Sequence, residues 1–113
     1  MTLKRVILEM GTGNDLHGGD YTKAAIRAVE DAIHHSSLAM IRTLKIDRKT
    51  VRVDVTIGVQ RPERVDAEAV RAVLPMGQVT VSVVEGGLDI PDDDTSDMTV
   101  IASAAVAVRL DLP

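Results

Sequence analysis

The segment Met98–Leu110 places the strongest constraint on the fold of this chain. At its centre, apolar or small side chains fall on both faces of a predicted strand: Val100, Ala102, Ala104 and Val106 on one, Ile101, Ser103, Ala105 and Ala107 on the other. Such a strand is typical of the middle of a sheet with both faces covered. The chain has 113 residues, and its two predicted helices can cover only one face. We therefore expect sister copies of the chain to cover the second face.

The composition supports the same expectation. The chain contains one Tyr and no Phe, Trp or Cys. A large aromatic side chain buries about 150–250 Å², so a core of Val, Ile, Leu, Ala and Met gains less per residue at about 25 cal/mol per Å². Small domains without disulfides often gain the missing burial by oligomerisation. We expect a single α+β domain over residues 1–113 that assembles as a homo-oligomer.

Charge and hydropathy limit the partners of this domain. The formal net charge is −4, with Lys and Arg scattered along the chain, whereas a nucleic-acid surface needs a concentrated basic face. No segment approaches the roughly 20 apolar residues of a membrane span, and the N-terminus lacks the apolar region of a signal peptide. The lack of Cys is compatible with a reducing compartment. We expect a cytoplasmic protein with neither nucleic acid nor a membrane as a partner.

Hydrophobic periodicity predicts a strand and then a helix in the N-terminal part. Leu3–Met10 alternates with a period of two, and its core side is expected to carry Val6, Leu8 and Met10. A helix is predicted over Tyr21–His35 with Asp20 as its N-cap. Its apolar side is formed by residues at helical spacing, namely Ala25, Val29, Ala32 and Ile33. The apolar pattern returns at Leu38, so this helix bends or restarts after Ser37.

The C-terminal part predicts more strands and a short helix. Thr50–Gln60 is the clearest strand, because Val or Ile alternates with polar residues throughout. Asp66 caps a helix that ends at Pro75, Gln78–Val84 is a strand, and Asp89–Asp97 is an exposed loop. The resulting order, β-α-β-α-β-β, predicts a mixed sheet with two helices on one face. The rim of the other face is expected to carry Arg52, Asp54, Thr80 and Ser82.

Two glycine-rich stretches are the candidate ligand-binding segments. Glycine tolerates a positive φ and the close approach of other groups, and polar loops beside a helix N-terminus often bind ligands. The first stretch, between strand and helix, supplies Gly11, Thr12, Gly13, Asn14, Gly18, Gly19 and Asp20. The second follows a strand and supplies Glu85, Gly86 and Gly87. The alternative for each stretch is a structural turn that binds nothing.

Nucleotide motifs do not fit the first stretch. A dinucleotide motif needs a third glycine where Leu16 stands, and a phosphate loop needs Lys followed by Ser or Thr where Gly19 and Asp20 stand. Asp15 and Asp20 would also repel phosphates. We therefore expect a neutral or cationic small molecule as the ligand, and no cofactor.

A metal site is a weaker alternative. Carboxylate and imidazole side chains suit divalent ions, but the loop offers no second His near His17. His34 and His35 lie at the far end of the predicted helix, where imidazole can interact with exposed carbonyl groups. The acidic run Asp92–Asp94 lacks the spacing of a calcium loop. We expect no bound metal.

His17 is the candidate acid/base group. A neighbouring carboxylate, from Asp15 or Asp20, would fix the tautomer of its imidazole. Lys23, one turn into the helix, could reach back over the loop, and Glu85 could contribute a second carboxylate. The alternatives are that His17 only holds the loop together and that Lys23 is a solvated helix residue. The predicted catalytic set is His17, Asp15, Lys23 and Glu85.

Two runs of the sequence carry a resemblance to known proteins. Met10–Lys23 and Val83–Leu88 resemble a family of small uncharacterised bacterial proteins. More distantly, Thr12–Asn14 followed by Asp20–Lys23 is similar to a motif of the ring-opening amidohydrolases, cyanuric acid hydrolase and barbiturase. Those enzymes repeat one α+β unit three times, and each repeat contributes a Lys–Ser pair around a cyclic amide. The resemblance implies a homotrimer built from single units.

The predicted element order also fits the chorismate-mutase-like fold, shared with trimeric reactive-intermediate deaminases whose sites lie between subunits. The sequence departs from the amidohydrolase motif in two places: Met10 or Gly11 stands where the lysine belongs, and Glu85 precedes the paired glycines in place of serine. A serine nucleophile is therefore not expected. The resulting hypothesis is an intersubunit enzyme acting on a cyclic amide or related polar nitrogen compound. The alternative is a non-catalytic homo-oligomer that binds a small molecule.

Overall fold

The computed structural model describes residues 2–34, 45–74 and 77–112. Five strands and two helices follow one another along the chain: β1 (Thr2–Asp15), α1 (Tyr21–His34), β2 (Arg52–Val59), α2 (Ala67–Arg71), β3 (Gln78–Glu85), β4 (Leu88–Pro91) and β5 (Met98–Leu112). Short 3₁₀ turns cover Arg48–Thr50 and Pro62–Arg64. The predicted helix restart after Ser37, the end of the first helix at His35 and the helix stop at Pro75 lie outside the described residues.

The strands form one mixed sheet in the order β1-β5-β2-β3, with β4 paired to β5. β5 lies antiparallel to β1 along its whole length, from Thr2↔Leu112 to Asp15↔Val100. Its other edge pairs first with β4 and then with β2, and β2 and β3 run parallel. The predicted α+β fold with a mixed sheet and two helices is therefore confirmed, and the segment predicted to be central is the central strand.

The strand β4 corrects the sequence prediction of a loop over residues 89–97. Leu88–Pro91 pairs antiparallel with Met98–Ile101, so only residues 92–97 form the connecting loop. The signal was hidden because acidic and proline residues, which are depleted in strands, interrupt the alternation. Pro91 is tolerated because it occupies the last position of a short strand.

The core side predicted for β1 is wrong for Leu8 and Met10, whereas Val6 is half-buried and packs against the core as predicted. Ile7, Gly11, Gly13 and Asp15 are buried, whereas Met10 is 71% exposed and Leu8 is 42% exposed. An irregularity between Arg5 and Ile7 shifts the register against β5. A one-residue shift moves every following side chain to the opposite face. Beyond the shift, Ile7, Gly11 and Gly13 therefore lie on the buried face of β1, and Leu8 and Met10 lie on the opposite face.

Helix α1 covers the sheet with small side chains. Its buried residues are Tyr21, Ala24, Ala25, Ala28, Val29 and Ala32. They pack mainly on β1 and on the buried face of β5, and at fewer points on β2, whose aliphatic face is formed by Val53, Val55, Ile57 and Val59. The N-caps predicted for both helices are confirmed, because Asp20 Oδ1 accepts from Lys23 N and Asp66 Oδ1 accepts from Glu68 N and Ala69 N.

The second face of the sheet is not covered by either helix. This open face carries alternate residues of each strand, among them Thr56 and Ser103. Its exposed large apolar side chains are Leu3, Leu8, Met10, Val84, Leu88 and Ile90. A shallow depression of 530 Å³ is lined by Met10, Thr12, Thr56, Gly58, Ser103 and Ala105 among others. Among the helices in the described ranges, none is long and apolar enough to cross a membrane.

Candidate functional site

The first glycine-rich stretch divides into a strand segment and a loop. Gly11, Thr12, Gly13 and Asn14, predicted as a ligand-binding loop, belong to β1 and pair with residues 101–104 of β5. A Cβ atom on Gly13 would lie 2.2 Å from Ala28 N, and one on Gly11 would lie 2.4 Å from Ala28 O. Real Cβ atoms do not approach backbone atoms so closely. These two glycines therefore allow α1 to pack against β1.

Two side chains of α1 form hydrogen bonds with backbone groups of the strand segment Gly11–Asn14. The backbone N–H of Thr12 donates to Asp31 Oδ2 at 2.9 Å, and Arg27 Nη1 donates to the Asn14 carbonyl at 2.7 Å. Strand-edge groups that would otherwise need water or a partner strand are thereby satisfied. The helix therefore holds this end of β1 by its edge as well as by its face.

The loop between β1 and α1 contains the remaining glycines. Gly18 has φ 93° and Gly19 has φ 61°, values at which a side chain is strained. The buried Asp15, 4% exposed, accepts from Asp20 N at 2.8 Å and lies 3.6 Å from Arg27 Nη1. Asp15 therefore fixes the loop to the start of the helix, and its side chain does not pair with His17 as predicted.

The carboxylate partner of His17 is Asp97, which the sequence analysis placed in an exposed loop. His17 Nδ1 lies 2.9 Å from Asp97 Oδ2. Asp97 Oδ1 also accepts from Gly18 N at 2.8 Å and from Met98 N at 3.1 Å. The two residues are 80 positions apart, and sequence spacing gives no signal of their contact. Of the predicted catalytic set, only His17 takes part in this pair.

The hydrogen bonds to Asp97 determine its charge state. The bonds from Gly18 N, His17 and Met98 N, together with the charge of His17, lower the pKa of Asp97 against a weaker effect of desolvation. An ionised carboxylate only accepts hydrogen bonds, so the facing nitrogen Nδ1 must carry a proton. In neutral imidazole this leaves Nε2 with an unshared electron pair. The geometry therefore defines an oriented His–Asp pair.

The pair borders a small depression between two loops. This depression has a volume of 230 Å³ and is lined by Leu16, His17, Asp92, Thr95, Asp97, Met98 and Thr99. The loop of residues 92–97 is held by its own hydrogen bonds. Thr95 Oγ1 donates to Asp92 Oδ2 at 2.6 Å and accepts from Asp97 N at 3.1 Å. The side chain of His17 is 85% exposed. Nε2 is therefore accessible to a ligand from outside this chain.

Tyr21 forms a second polar cluster, which sequence reasoning did not identify. Its hydroxyl donates to Asp89 Oδ2 at 2.5 Å, and the Arg64 guanidinium lies 5.5 Å from its ring centroid. Burial, then the hydrogen bond to Asp89 and the charge of Asp89, raise the pKa of Tyr21, while Arg61 and Arg64 oppose the shift. The cluster ties the start of α1 to β4.

The second glycine-rich stretch is a tight connection between β3 and β4. Gly86 N donates to the Val59 carbonyl at 2.9 Å, and the Gln60 side chain donates to the carbonyls of Gly86 and Gly87 at 3.1 Å each. Gly87 has φ 61°, and a Cβ there would lie 2.2 Å from Ile101 O. These contacts are those of a structural turn, the alternative considered for this stretch.

Two predicted catalytic residues lie away from the pair. Lys23 is on the exposed side of α1, and Glu85 ends β3 with its side chain exposed. No hydrogen bond or ion pair links either side chain to His17 within residues 2–34, 45–74 and 77–112. In the same ranges, no three His, Cys, Asp or Glu side chains are grouped closely enough to hold a metal ion.

The fold and site define a small α+β protein with an oriented His–Asp pair and a sheet face that neither of the described helices covers. The chain belongs to the family described as "Conserved hypothetical protein (Lin0512_fam)", whose model matches residues 5–108. It is similar to a solved structure described as an FtsZ-like protein of unknown function from Nostoc punctiforme PCC 73102, with 38% identity over 99% of both chains and a TM-score of 0.86. No curated protein matches the chain. The predicted resemblance to a family of uncharacterised proteins is confirmed.

Proposed function

We propose that this protein is a homotrimeric small-molecule enzyme of the chorismate-mutase-like kind, with His17 as its acid/base group and a site between subunits. The hydrogen bond between His17 Nδ1 and Asp97 Oδ2, 2.9 Å long, carries the proposal. A carboxylate in this position holds the imidazole in one tautomer and orientation and stabilises the imidazolium that forms when Nε2 accepts a proton. A residue that served only to hold the loop would not need its second nitrogen exposed.

The proposed reaction is hydrolysis of a cyclic amide or related polar nitrogen compound, as the resemblance to ring-opening amidohydrolases suggests. His17 Nε2 takes a proton from water while the water oxygen bonds to the carbonyl carbon. The oxyanion that forms needs hydrogen-bond donors. Gly18 N and Asp20 N already donate to carboxylates, so the N–H groups of His17 and Gly19 are the remaining candidates in the loop. The imidazolium then returns its proton to the departing nitrogen as the ring opens.

The open sheet face supports the proposed oligomer. Six of its large apolar side chains are between 41% and 71% exposed: Leu3, Leu8, Met10, Val84, Leu88 and Ile90. Contiguous apolar surface of this kind commonly marks a protein interface. A threefold arrangement of these faces follows the chorismate-mutase-like architecture implied by the element order. A neighbouring copy would then supply the Glu85–Gly87 turn, and with it a carboxylate, to the exposed His17.

One assay tests the enzymatic part of the proposal. The purified protein is incubated with a panel of cyclic amides, and ring opening is followed by mass spectrometry. We expect His17→Ala to lower turnover by at least about 100-fold, because a positioned acid/base group contributes about 10²–10⁴-fold. Asp97→Asn is expected to lower turnover with little effect on binding. His34→Ala, a change of the same size at the other end of α1, serves as the matched control and is expected to keep full turnover.

The second candidate function, a non-catalytic small-molecule binder, is favoured by the 85% exposure of the His17 side chain. In that case the loop recognises a ligand without water being excluded. Ligand binding by wild type and by His17→Ala, with no turnover of any amide, would reject the enzyme in favour of the binder. Sedimentation velocity at micromolar concentration tests the trimer separately, and a monomer there would reject the intersubunit site.

A further inference from the structure

Three arginines lie side by side on the open face of the sheet, at the end away from His17. Arg109 in β5 is directly opposite Arg5 in β1 and, on its other side, directly opposite Arg52 in β2. Neighbouring strands are about 4.8 Å apart, so the outer two residues of this arginine row are separated by roughly 10 Å at Cα. Their long side chains can converge on a single bound group.

The arginine row is expected to lower the stability of the sheet. Like charges directly opposite one another on adjacent strands are destabilising. The irregularity between Arg5 and Ile7 is what places Arg5 opposite Arg109, since an unshifted register would place Val6 there. Irregularities that re-aim a side chain are frequent at functional sites.

The nearby carboxylates do not neutralise the positive charge of the arginine row. Asp54 Oδ2 lies 3.5 Å from Arg109 Nη1, which is within ion-pair range, yet this buried nitrogen has no hydrogen-bond partner among the described residues. Asp111, the other acid on this part of the face, lies one position further along and is paired with Leu3. Arg5 and Arg52 are exposed, and neither has an ion pair or hydrogen bond to a side chain in the described ranges.

We propose that the arginine row binds a phosphate-type oxyanion. Guanidinium groups present fixed pairs of N–H donors that match the oxygens of phosphate. Arg109 Nη1 lies 3.5 Å from Asp54 Oδ2 but forms no hydrogen bond with the residues that the structure describes, so it can still donate to a bound oxyanion. In a single chain the arginine row is separate from the proposed catalytic pair. Arg109 lies twelve residues after Asp97, and twelve residues of extended strand span roughly 40 Å. The ligand is either inorganic phosphate or the phosphate group of a small metabolite.

Isothermal titration calorimetry in a phosphate-free buffer of constant ionic strength tests the proposal, with inorganic phosphate and glycerol phosphate as probes. Wild type is expected to bind both saturably. Tighter binding of glycerol phosphate would indicate a metabolite, and tighter binding of inorganic phosphate would indicate the free ion. Arg109→Gln is expected to weaken binding by about tenfold or more, the usual effect of losing a hydrogen bond to a charged group.

The exposed Arg52 provides a second variant, Arg52→Gln, in case the change at the half-buried Arg109 impairs folding. The matched control is Arg71→Gln on α2, which removes an exposed arginine that forms an ion pair with Glu68 and is expected to bind phosphate like wild type. Absence of saturable binding by wild type, or equal affinity in all three variants, would overturn the proposal. The proposal would also be overturned if wild type binds no phosphate and Arg52→Gln loses the oligomer, because the arginine row would then contact acidic residues of a second copy. His17→Ala is expected to leave phosphate binding unchanged, so failure of the proposed enzyme does not decide this test.

Discussion

Replacing Gly13 by alanine is expected to be among the most destabilising single-methyl changes in this chain. The added Cβ would lie 2.2 Å from Ala28 N, 2.5 Å from Ala24 O and 2.6 Å from Arg27 C. All three are backbone atoms of α1, and ordinary contact begins at 3.4 Å. The helix would therefore have to retreat by about 1 Å, and its well-packed contacts with the sheet would weaken along its whole buried side.

The magnitude follows from the rigidity of the contact. Overpacking usually costs about 1–3 kcal/mol and occasionally more. We expect the cost of Gly13→Ala to lie at the upper end of this range, because no change of side-chain rotamer can remove a clash with backbone atoms. We expect a loss of about 3 kcal/mol from a domain whose total stability is of the order of 6–17 kcal/mol, with a fall in Tm of roughly 10–15 °C.

Urea unfolding followed by far-ultraviolet circular dichroism measures this effect, since the chain has no Trp and a single Tyr. The matched control is Asn14→Ala, the neighbouring position on the exposed side of β1, which is expected to change stability by less than about 0.5 kcal/mol. Ala28→Gly combined with Gly13→Ala is not expected to restore stability, because the clash is with backbone. A loss below about 1 kcal/mol for Gly13→Ala would refute the close packing of α1 on β1.

Three further changes test other parts of the structure. Tyr21→Phe removes the donor to Asp89 Oδ2 and should cost about 1–3 kcal/mol in urea unfolding, because the other oxygen of Asp89, Oδ1, is already buried with no hydrogen-bond partner among the described residues. Since the pKa of Tyr21 is raised above 10.0, wild type should also lose stability as the pH rises from this value through the folded-state pKa, a loss that the variant lacks. Asp97→Asn should be less stable than wild type at neutral pH, and the stabilities of the two proteins should become equal in acid. The pKa of Asp97 is lowered, so its ionised form contributes stability above the ordinary value of 3.8. This contribution is lost as the pH falls through the folded-state pKa. Asp66→Ala removes the N-cap of α2 and should cost about 1 kcal/mol, with equal stability of the two proteins as the contrary result.

Period-two alternation predicted the sheet well where both strand faces were chemically distinct. The strand around Val55 was assigned from its alternation, and the uncovered face followed from the number of helices. The same reasoning failed in β1, because the predicted strand ended at Met10 and the residues after it, among them Gly11 and Gly13, were assigned to a loop. Hydrophobicity favoured the large residues for the core, whereas the close approach of the helix admits only the small ones.

The candidate site was predictable only in part. His17 could be identified because a histidine between acids in a glycine-rich loop is unusual chemistry for a turn, but its partner Asp97 is brought near by the pairing of β1 with β5. The clue available in the sequence was the helix itself, in which Ala24, Ala28 and Ala32 recur every fourth position. A stripe of alanines indicates a partner surface that comes very close, and alternate glycines on the preceding strand supply that surface.

The packing of glycine against alanine links the proposed site to the proposed interface. Because Gly11 and Gly13 must face α1, the strict alternation of a strand turns Met10 and Thr12 to the open face. The same two glycines let the helix pack closely on β1 between Ala24 and Ala32, and the loop that precedes the helix carries His17, which lies beside Asp97. The register of β1 therefore turns Met10 to the open face, where the proposed second copy would bind, and it places His17 beside Asp97. A change that displaces α1 should impair the His–Asp pair and, if the proposed oligomer forms, its assembly as well.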